Sequence, residues 1–523
     1  MKTFVRLLTL LLALLMLAMT VVACDKGGDG DGDDVDRTAT EDEFLRERDD
    51  LDQYNLNYTG EKIKVIGWDG GNYEEFDVKQ ITADNVLMAV YDRNQEIERR
   101  LNIDLEFIEI PNGSMINTVV QDKNSGMGAY DIIATYSRTE AEIAMRGCMA
   151  DISTIENSYI NLEKPWWPKN MVESMSIGNS MYFFSGDISP NVLSEMQVLY
   201  FNKDVMSEYW DAHAQKLGVV PEKDSKGQNI VSPAAQWVYN MAYDGTWDLD
   251  ELIMLTMGPD GKGIGDISQG SVADAKDLDD SYGFVSISYC LSFFYSGCNL
   301  KLIENDKNST EENPLNISED FGSMRTVKLV QKLGDWYKEN TCAVNFGNPG
   351  YKTIMMAGRT LFTAVRARHA GNQYVDLNIG IMPCPKFDET QANYYTAIGN
   401  PFTIYGIYNG LTARGGDKAA TYSMMTAVVE CWASECYRLV TPQIFEVNMQ
   451  LKYAETQCET DMFEIVRSSV VFDLGRIFGP ELYGMDDMPS EAAKAGTSWV
   501  STYASYKNPL AKKLDAIVAS LEE

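Results

Sequence analysis

From residue 61 onward the chain alternates strand-like and helix-like patterns, and this alternation restricts the fold more than any other feature. KIKVIGW at 62–68 reads as a strand, and NVLMAVYDRNQEIERRL at 85–101 repeats its apolar residues at helical spacing. DLEFIEI at 104–110 reads as a second strand, 115–123 as a second helix and YDIIATY at 130–136 as a third strand. This order predicts a mostly parallel sheet covered by helices, the α/β class. Such sheets bind ligands beyond the carboxyl ends of their strands. Trp68 and Asp69 follow the first strand, and Tyr136, Ser137 and Arg138 follow the third, so these five are candidate contacts. Trp68 leads them because it has no periodic apolar face to join.

The pattern restarts around residues 198–204, VLYFNKD. Its continuous apolar run suits a strand buried on both faces, and Asn202 and Asp204 offer capping oxygens to a helix over 205–216. We expect this strand to carry the chain between two lobes and to act as the hinge. Upstream, MYFFSGD at 181–187 reads as a strand. Trp166 and Trp167 sit between two prolines in a loop, where one should face in and one out, which makes Trp167 a candidate contact. Downstream come a polar insert at 217–236, a helix capped by Thr246, a Gly/Asp loop at 258–281, the strand YGFVSIS, and an amphipathic helix at 324–338 with Trp336 in the core. TLFTAV then ends at Arg366-Ala367-Arg368-His369. Two further strands and a mostly helical C-terminal part follow, with a last helix at 509–521.

A chain of 523 residues with 45% hydrophobic content can bury two or three domains. Its 77 acidic residues against 44 basic ones, a formal charge of −33, exclude nucleic acid and anionic lipid as partners of the folded surface. An uncharged ligand fits that balance best, and a cationic one next. At the N-terminus Lys2 and Arg6 precede an apolar stretch that closes on Val21-Val22-Ala23-Cys24, which resembles the lipobox of a bacterial lipoprotein with Cys24 as the lipidated residue. Residues 25–60 are acidic and glycine-rich at their start and read as a flexible tether of ~30 Å reach. The remaining eight cysteines have irregular spacing and are expected to be mostly free thiols. Only two histidines occur, and neither lies near paired cysteines, so no metal or other cofactor is expected. The calcium-loop pattern fails at Asp29 for want of Gly and Glu in the required places, and it is incomplete at Asp260.

Several stretches in order then resemble one family. YDII running into ADIS, FNKD followed by TWDLDEL, GRTLF, GIMPCPKFDETQANYY and LKYAETQCETDMFEIVRSSVVFDLGRIFG are similar to extracellular solute-binding proteins of ABC importers, of the sugar-type lipoprotein kind. The resemblance implies a type II periplasmic-binding-protein-like fold of two α/β lobes, joined by crossing strands and closing over a ligand. It divides the chain into lobe 1 at 61–194 and 359–412 and lobe 2 at 195–358 and 413–523. It also implies a carbohydrate ligand, an ABC permease as partner, a lipid anchor in the cell membrane with the protein facing outward, a monomer, and no catalysis. Glu195 matches the polar residue ahead of the NKD motif, and Tyr136 to Arg138 and Arg366 match contacts after two strands. Asp69, Asp187, Glu195 and Arg366 would pair with sugar hydroxyls, while Trp68, Trp167, Tyr289 and Tyr395 would offer ring faces. A surface-anchored glycan-degrading enzyme and a binder of peptides or other polar solutes are the alternative readings. The first lacks a local pair of carboxylates at a defined separation.

Overall fold

Strand β1 (Glu61–Trp68) pairs in parallel with β2 (Ile103–Ile110) and with β3 (Ile132–Tyr136), as the alternation predicts. In the computed structural model, residues 46–69, 75–264, 280–306, 313–339, 341–344, 348–369, 377–445 and 456–522 are described. Cys24, the tether up to residue 45 and the Gly/Asp loop at 265–279 lie outside the described residues. The helix Asn85–Leu101 is capped by Asp84, whose carboxylate accepts from Val86 and Leu87, and it ends on Asn102 in the left-handed conformation.

A second sheet contains β4 (Gln197–Asn202), β5 (Tyr282–Ser286), β6 (Cys342–Ala343), β7 (Thr360–Arg366) and β8 (Ile379–Met382) in the order β8-β4-β7-β5-β6. Here β4 runs antiparallel to β7 and β8, whereas β5 is parallel to β6 and β7. Every residue of β4 and of β7 is buried, so both faces of this sheet are covered. Strand β9 (Thr403–Ile407) returns to the first sheet as the antiparallel neighbour of β3, giving the order β9-β3-β1-β2. Both sheets belong to one compact unit, Glu47–Glu523.

This is the two-sheet α/β architecture that the resemblance implies, but several local expectations change. Strands β7 and β8, expected with lobe 1, lie in the second sheet, because β4 pairs with both of them. The helix Lys418–Glu435, expected with lobe 2, packs on Asn85–Leu101: Arg100 donates to Glu435 at 2.9 Å and the Arg93 guanidinium stands 4.9 Å above the Trp432 ring. The VLYFNKD strand is not itself the hinge. Its residues 198–202 belong to β4 in the second sheet and Lys203 and Asp204 open the helix Lys203–Lys216, while the chain crosses just before β4 through the helix Pro190–Glu195. MYFFSGD is no strand either, since only Phe184 bridges, to Tyr405. Gly186 then turns the chain at φ +124, where a Cβ would meet the Trp166 carbonyl at 2.7 Å.

Among the described residues, three connections join elements of the two sheets. The first passage is 185–196, and the second, 398–402, runs beside it through a bridge between Met196 and Ile398. The third leads from the helix Lys418–Glu435 to Gln457–Ser468, where Glu459 accepts from Lys203 at 2.8 Å and Tyr239 at 3.0 Å on the second lobe. Asp248, not Thr246, caps the helix Leu249–Met257, because its carboxylate reaches the amides of Asp250 and Glu251. The last helix runs over Trp499–Glu522 with Pro509 inside it. Trp336 is buried in the core as expected, and the eight cysteines from Cys148 onward are free and buried.

Candidate functional site

The antiparallel register sets Gln197, at the start of β4, opposite Arg366, at the end of β7. Glu195, one step into the crossing helix, is therefore carried to the carboxyl ends of β5 and β7. Its carboxylate is fully buried and forms ion pairs with Arg366 at 2.9 Å and with Arg368. Arg366 ends β7 and Arg368 stands in the turn that follows, and both reach the one carboxylate. Arg366 also lies 4.7 Å from the ring centre of Tyr289, just beyond β5, and that ring is 42% exposed. The Arg366 amide donates to Nδ1 of His369 at 3.3 Å. Burial, with Arg368 and Arg366 beside it, pushes the His369 imidazole down to about 3, so it is neutral. The returning crossing fits tightly against this pair. The Gly399 amide donates to the Glu195 carbonyl at 2.7 Å, and a Cβ there would lie 2.7 Å from Glu195 Oε2 and 2.8 Å from Arg366 Nε.

The first lobe presents Tyr136 and Arg138 to the same place. Burial pushes the Tyr136 hydroxyl up, and the charges of Arg138, Arg366, Asp486 and Glu195 reach it. Arg138 donates to the fully buried Asp486 at 2.8 Å. Ser137 is occupied otherwise: its hydroxyl donates to the Asn400 carbonyl at 2.7 Å and ties the second crossing to the end of β3. Trp68 is buried, its ring 5.7 Å from Tyr136 and its indole N–H donating to Thr403 Oγ1 at 2.9 Å. Thr403 passes that bond to Glu75 at 2.6 Å, which also accepts from Tyr405 at 2.8 Å and from Asn191 at 2.5 Å. Trp68 thus heads a buried chain of hydrogen bonds reaching the first crossing. Asp69 is exposed and makes no side-chain bond among the described residues.

Sequence reasoning missed Arg476, Asn400 and Asp486, which only the fold brings here. Arg476 is buried and donates to Ser292 Oγ at 3.2 Å, to the Ile398 carbonyl at 3.1 Å and to Asn400 Oδ1 at 3.4 Å. Arg368 was legible, standing just past the end of β7 close to Arg366 in sequence. A cavity of about 300 Å³ opens between Tyr136, Arg138, Ile477 and Phe478 at this edge.

Trp167, Asp187 and Tyr395 do not join the cluster. They line a groove of about 750 Å³ toward the other ends of the crossing segments, where Val192 and Leu193 also lie. A second hollow of about 810 Å³ continues it past Asn170 and Tyr395. Both tryptophans of the Pro-flanked pair are buried, against the expectation of one in and one out. Trp167 donates to Glu430 at 3.0 Å and packs on Phe184, and Trp166 packs on Tyr437. Burial pushes Glu430 up to about 7 in spite of the Trp167 bond. Asp187 accepts from Thr441 at 2.5 Å. Among the described residues no group of His, Cys, Asp and Glu is arranged to hold a metal ion.

The fold and cluster together define a mixed α/β protein whose two sheets meet at their strand ends across three chain crossings. No family model matches the chain, and no curated protein matches it. In structure it is similar to a cyclo/maltodextrin-binding protein complexed with maltotetraose (TM-score 0.49, 11% identity, 89% of this chain and 98% of that one). It is also similar to the GacH receptor of Streptomyces glaucescens (TM-score 0.47, 14% identity, covering 87% and 99%). A third is the galacto-N-biose-/lacto-N-biose I-binding protein of an ABC transporter from Bifidobacterium longum (TM-score 0.46, 12% identity, covering 88% and 98%).

Proposed function

We propose that this chain is an extracellular solute-binding protein that captures a carbohydrate between its two lobes and delivers it to the permease of an ABC importer by closing them. The observation that carries the reading is the convergence of strand ends from both sheets on one cluster, Tyr136 and Arg138 from one and Glu195, Tyr289 and Arg366 from the other. Ligands of α/β sheets bind at such ends, and three crossings allow one lobe to turn on the other. Cys24 and the tether would hold the protein at the outer face of the membrane as a monomer. The reading as a binder, not an enzyme, is supported by the state of the cluster's buried acids. Glu195 and Asp486 are each engaged by arginine in ion pairs, which gives them a structural role in the cluster.

Thermal shift and titration calorimetry against mono- and oligosaccharides test the reading. The expected result is a stabilisation of several degrees by at least one saccharide, recovered intact afterwards. Product formation at catalytic turnover would refute it. Incorporation of labelled palmitate into the chain, abolished by Cys24→Ser, is expected in a Gram-positive host, and unlabelled protein would remove the anchor.

A further inference from the structure

We propose that the protein carries a second, separate site for a neutral oligosaccharide, in the double hollow around Tyr395, toward the ends of the crossing segments that lie away from Glu195. Its two halves, of about 810 and about 750 Å³, meet at Asn170, Tyr395 and Val471, which line both. Either half alone has the volume of an ordinary small-molecule site. The first lobe supplies the helix Lys169–Met175, which Ser185 ties to the first sheet: its amide donates to Met171 Sδ at 3.2 Å and its hydroxyl to the Thr403 carbonyl at 2.9 Å. The second lobe supplies residues between Ser296 and Asp306, next to Phe294, which packs on Phe284 of β5. A solute in the hollow therefore touches both lobes.

Several neutral polar groups there have no partner. Tyr395 is half-buried, and among the described residues its hydroxyl makes no hydrogen bond and its ring no aromatic contact. Asn170 donates to the Val470 carbonyl, while its Oδ1 accepts nothing among the described residues. Asn299, on the second lobe, and Asn393 are exposed, and their side-chain amides are unbonded among the described residues. Amide and phenol groups both donate and accept, as a sugar hydroxyl does, and the Tyr395 ring offers the C–H face of a pyranose a surface to stack on. The charges argue against an ionic solute. In one half Glu173, Glu304, Asp306 and Asp473 outnumber Lys301, which repels an anion. In the other Glu163, Asp187 and Glu464 balance Lys164, Lys169 and Arg467, which leaves no surplus to attract a cation. A solute lying across both halves is therefore uncharged.

The test is titration calorimetry of the purified protein with maltotetraose, cellotetraose, mannotetraose and xylotetraose, repeated with Tyr395→Ala, Asn299→Ala and Tyr136→Ala. At least one tetraose is expected to lose about tenfold in affinity with Tyr395→Ala and about threefold or more with Asn299→Ala, while Tyr136→Ala leaves its binding unchanged. Asn299→Ala, at an exposed and unbonded position, decides should Tyr395→Ala fail to fold. If every tetraose keeps its affinity within about threefold in Tyr395→Ala, or if those that it weakens are weakened equally by Tyr136→Ala, the second site is overturned and the solute-binding reading of the crevice stands. Failure of all four to bind the parent overturns the second site alone, since the crevice is tested on the wider saccharide panel above.

Discussion

Glu195→Gln probes the cluster most directly, because it keeps the side chain's volume and removes the one charge that two arginines share. The carboxylate is fully buried, while Arg366 and Arg368 keep 10% and 17% of their side-chain surface. Breaking a buried pair by removing one partner costs ~3–5 kcal/mol, since the other charge stays behind in low dielectric. The wet edges of both guanidiniums and the accepting oxygen that Gln retains place this case at the low end, about 3 kcal/mol. That is on the order of a hundredfold in the unfolding equilibrium. Urea titration followed by tryptophan fluorescence reads it, and the buried position makes the loss nearly independent of salt. Adding Arg368→Gln to Glu195→Gln should restore part of the loss, with a coupling of ~0.5–3 kcal/mol between the two sites. A single variant within ~0.5 kcal/mol of the parent, or a double variant equal to the sum of the singles, would refute the view that this pair is an electrostatic unit.

Three further outcomes follow from other sites. Glu140 is wholly buried with neither carboxylate oxygen bonded among the described residues, and burial pushes its pKa well above 4.5. Its contribution is full below that value and lost as pH rises toward the folded pKa, so Glu140→Gln should gain melting temperature over the parent from pH 5 to pH 8, and a constant difference counts against it. Gly399→Ala should lower the urea midpoint by ~1–3 kcal/mol of overpacking, because the added methyl presses on Glu195 and Arg366, and an unmoved midpoint would show that they part freely. Trp68→Phe should cost ~1–2 kcal/mol by deleting the donor to Thr403, and its ligand affinity, measured by calorimetry, should fall less than that of Tyr136→Ala, since Trp68 is buried behind Tyr136.

The first sheet was legible because each of its parallel strands and helices announces itself within a short window, as 62–68, 85–101 and 104–110 do. Strand membership across long gaps was not. β7 reads as a strand locally, but whether it pairs with β3 or β4 is decided by partners far away in sequence. The same limit hid the Trp166 and Trp167 environment, where Glu430 on a distant helix supplies the bond that lets Trp167 be buried. At the cluster, Tyr136, Arg138, Glu195, Tyr289 and Arg366 were nameable because they stand at strand ends. Arg476 and Asp486 come from a helical region with no local sign of their use.

Net charge describes the chain as a whole, whereas Glu195, Arg366 and Arg368 pair locally at the strand ends. Exposed acids are screened within about 10 Å, whereas charges enclosed at strand ends act at short range and low dielectric. The distribution also bears on movement. Glu195 takes the Gly399 amide through its backbone and both β7 arginines through its side chain, so one residue fastens the first crossing, the second crossing and a strand end of the second sheet. Ser137 does the same from the first sheet through the Asn400 carbonyl. Glu195 and Ser137 thus hold adjacent residues of the second crossing, Gly399 and Asn400, from the two sheets.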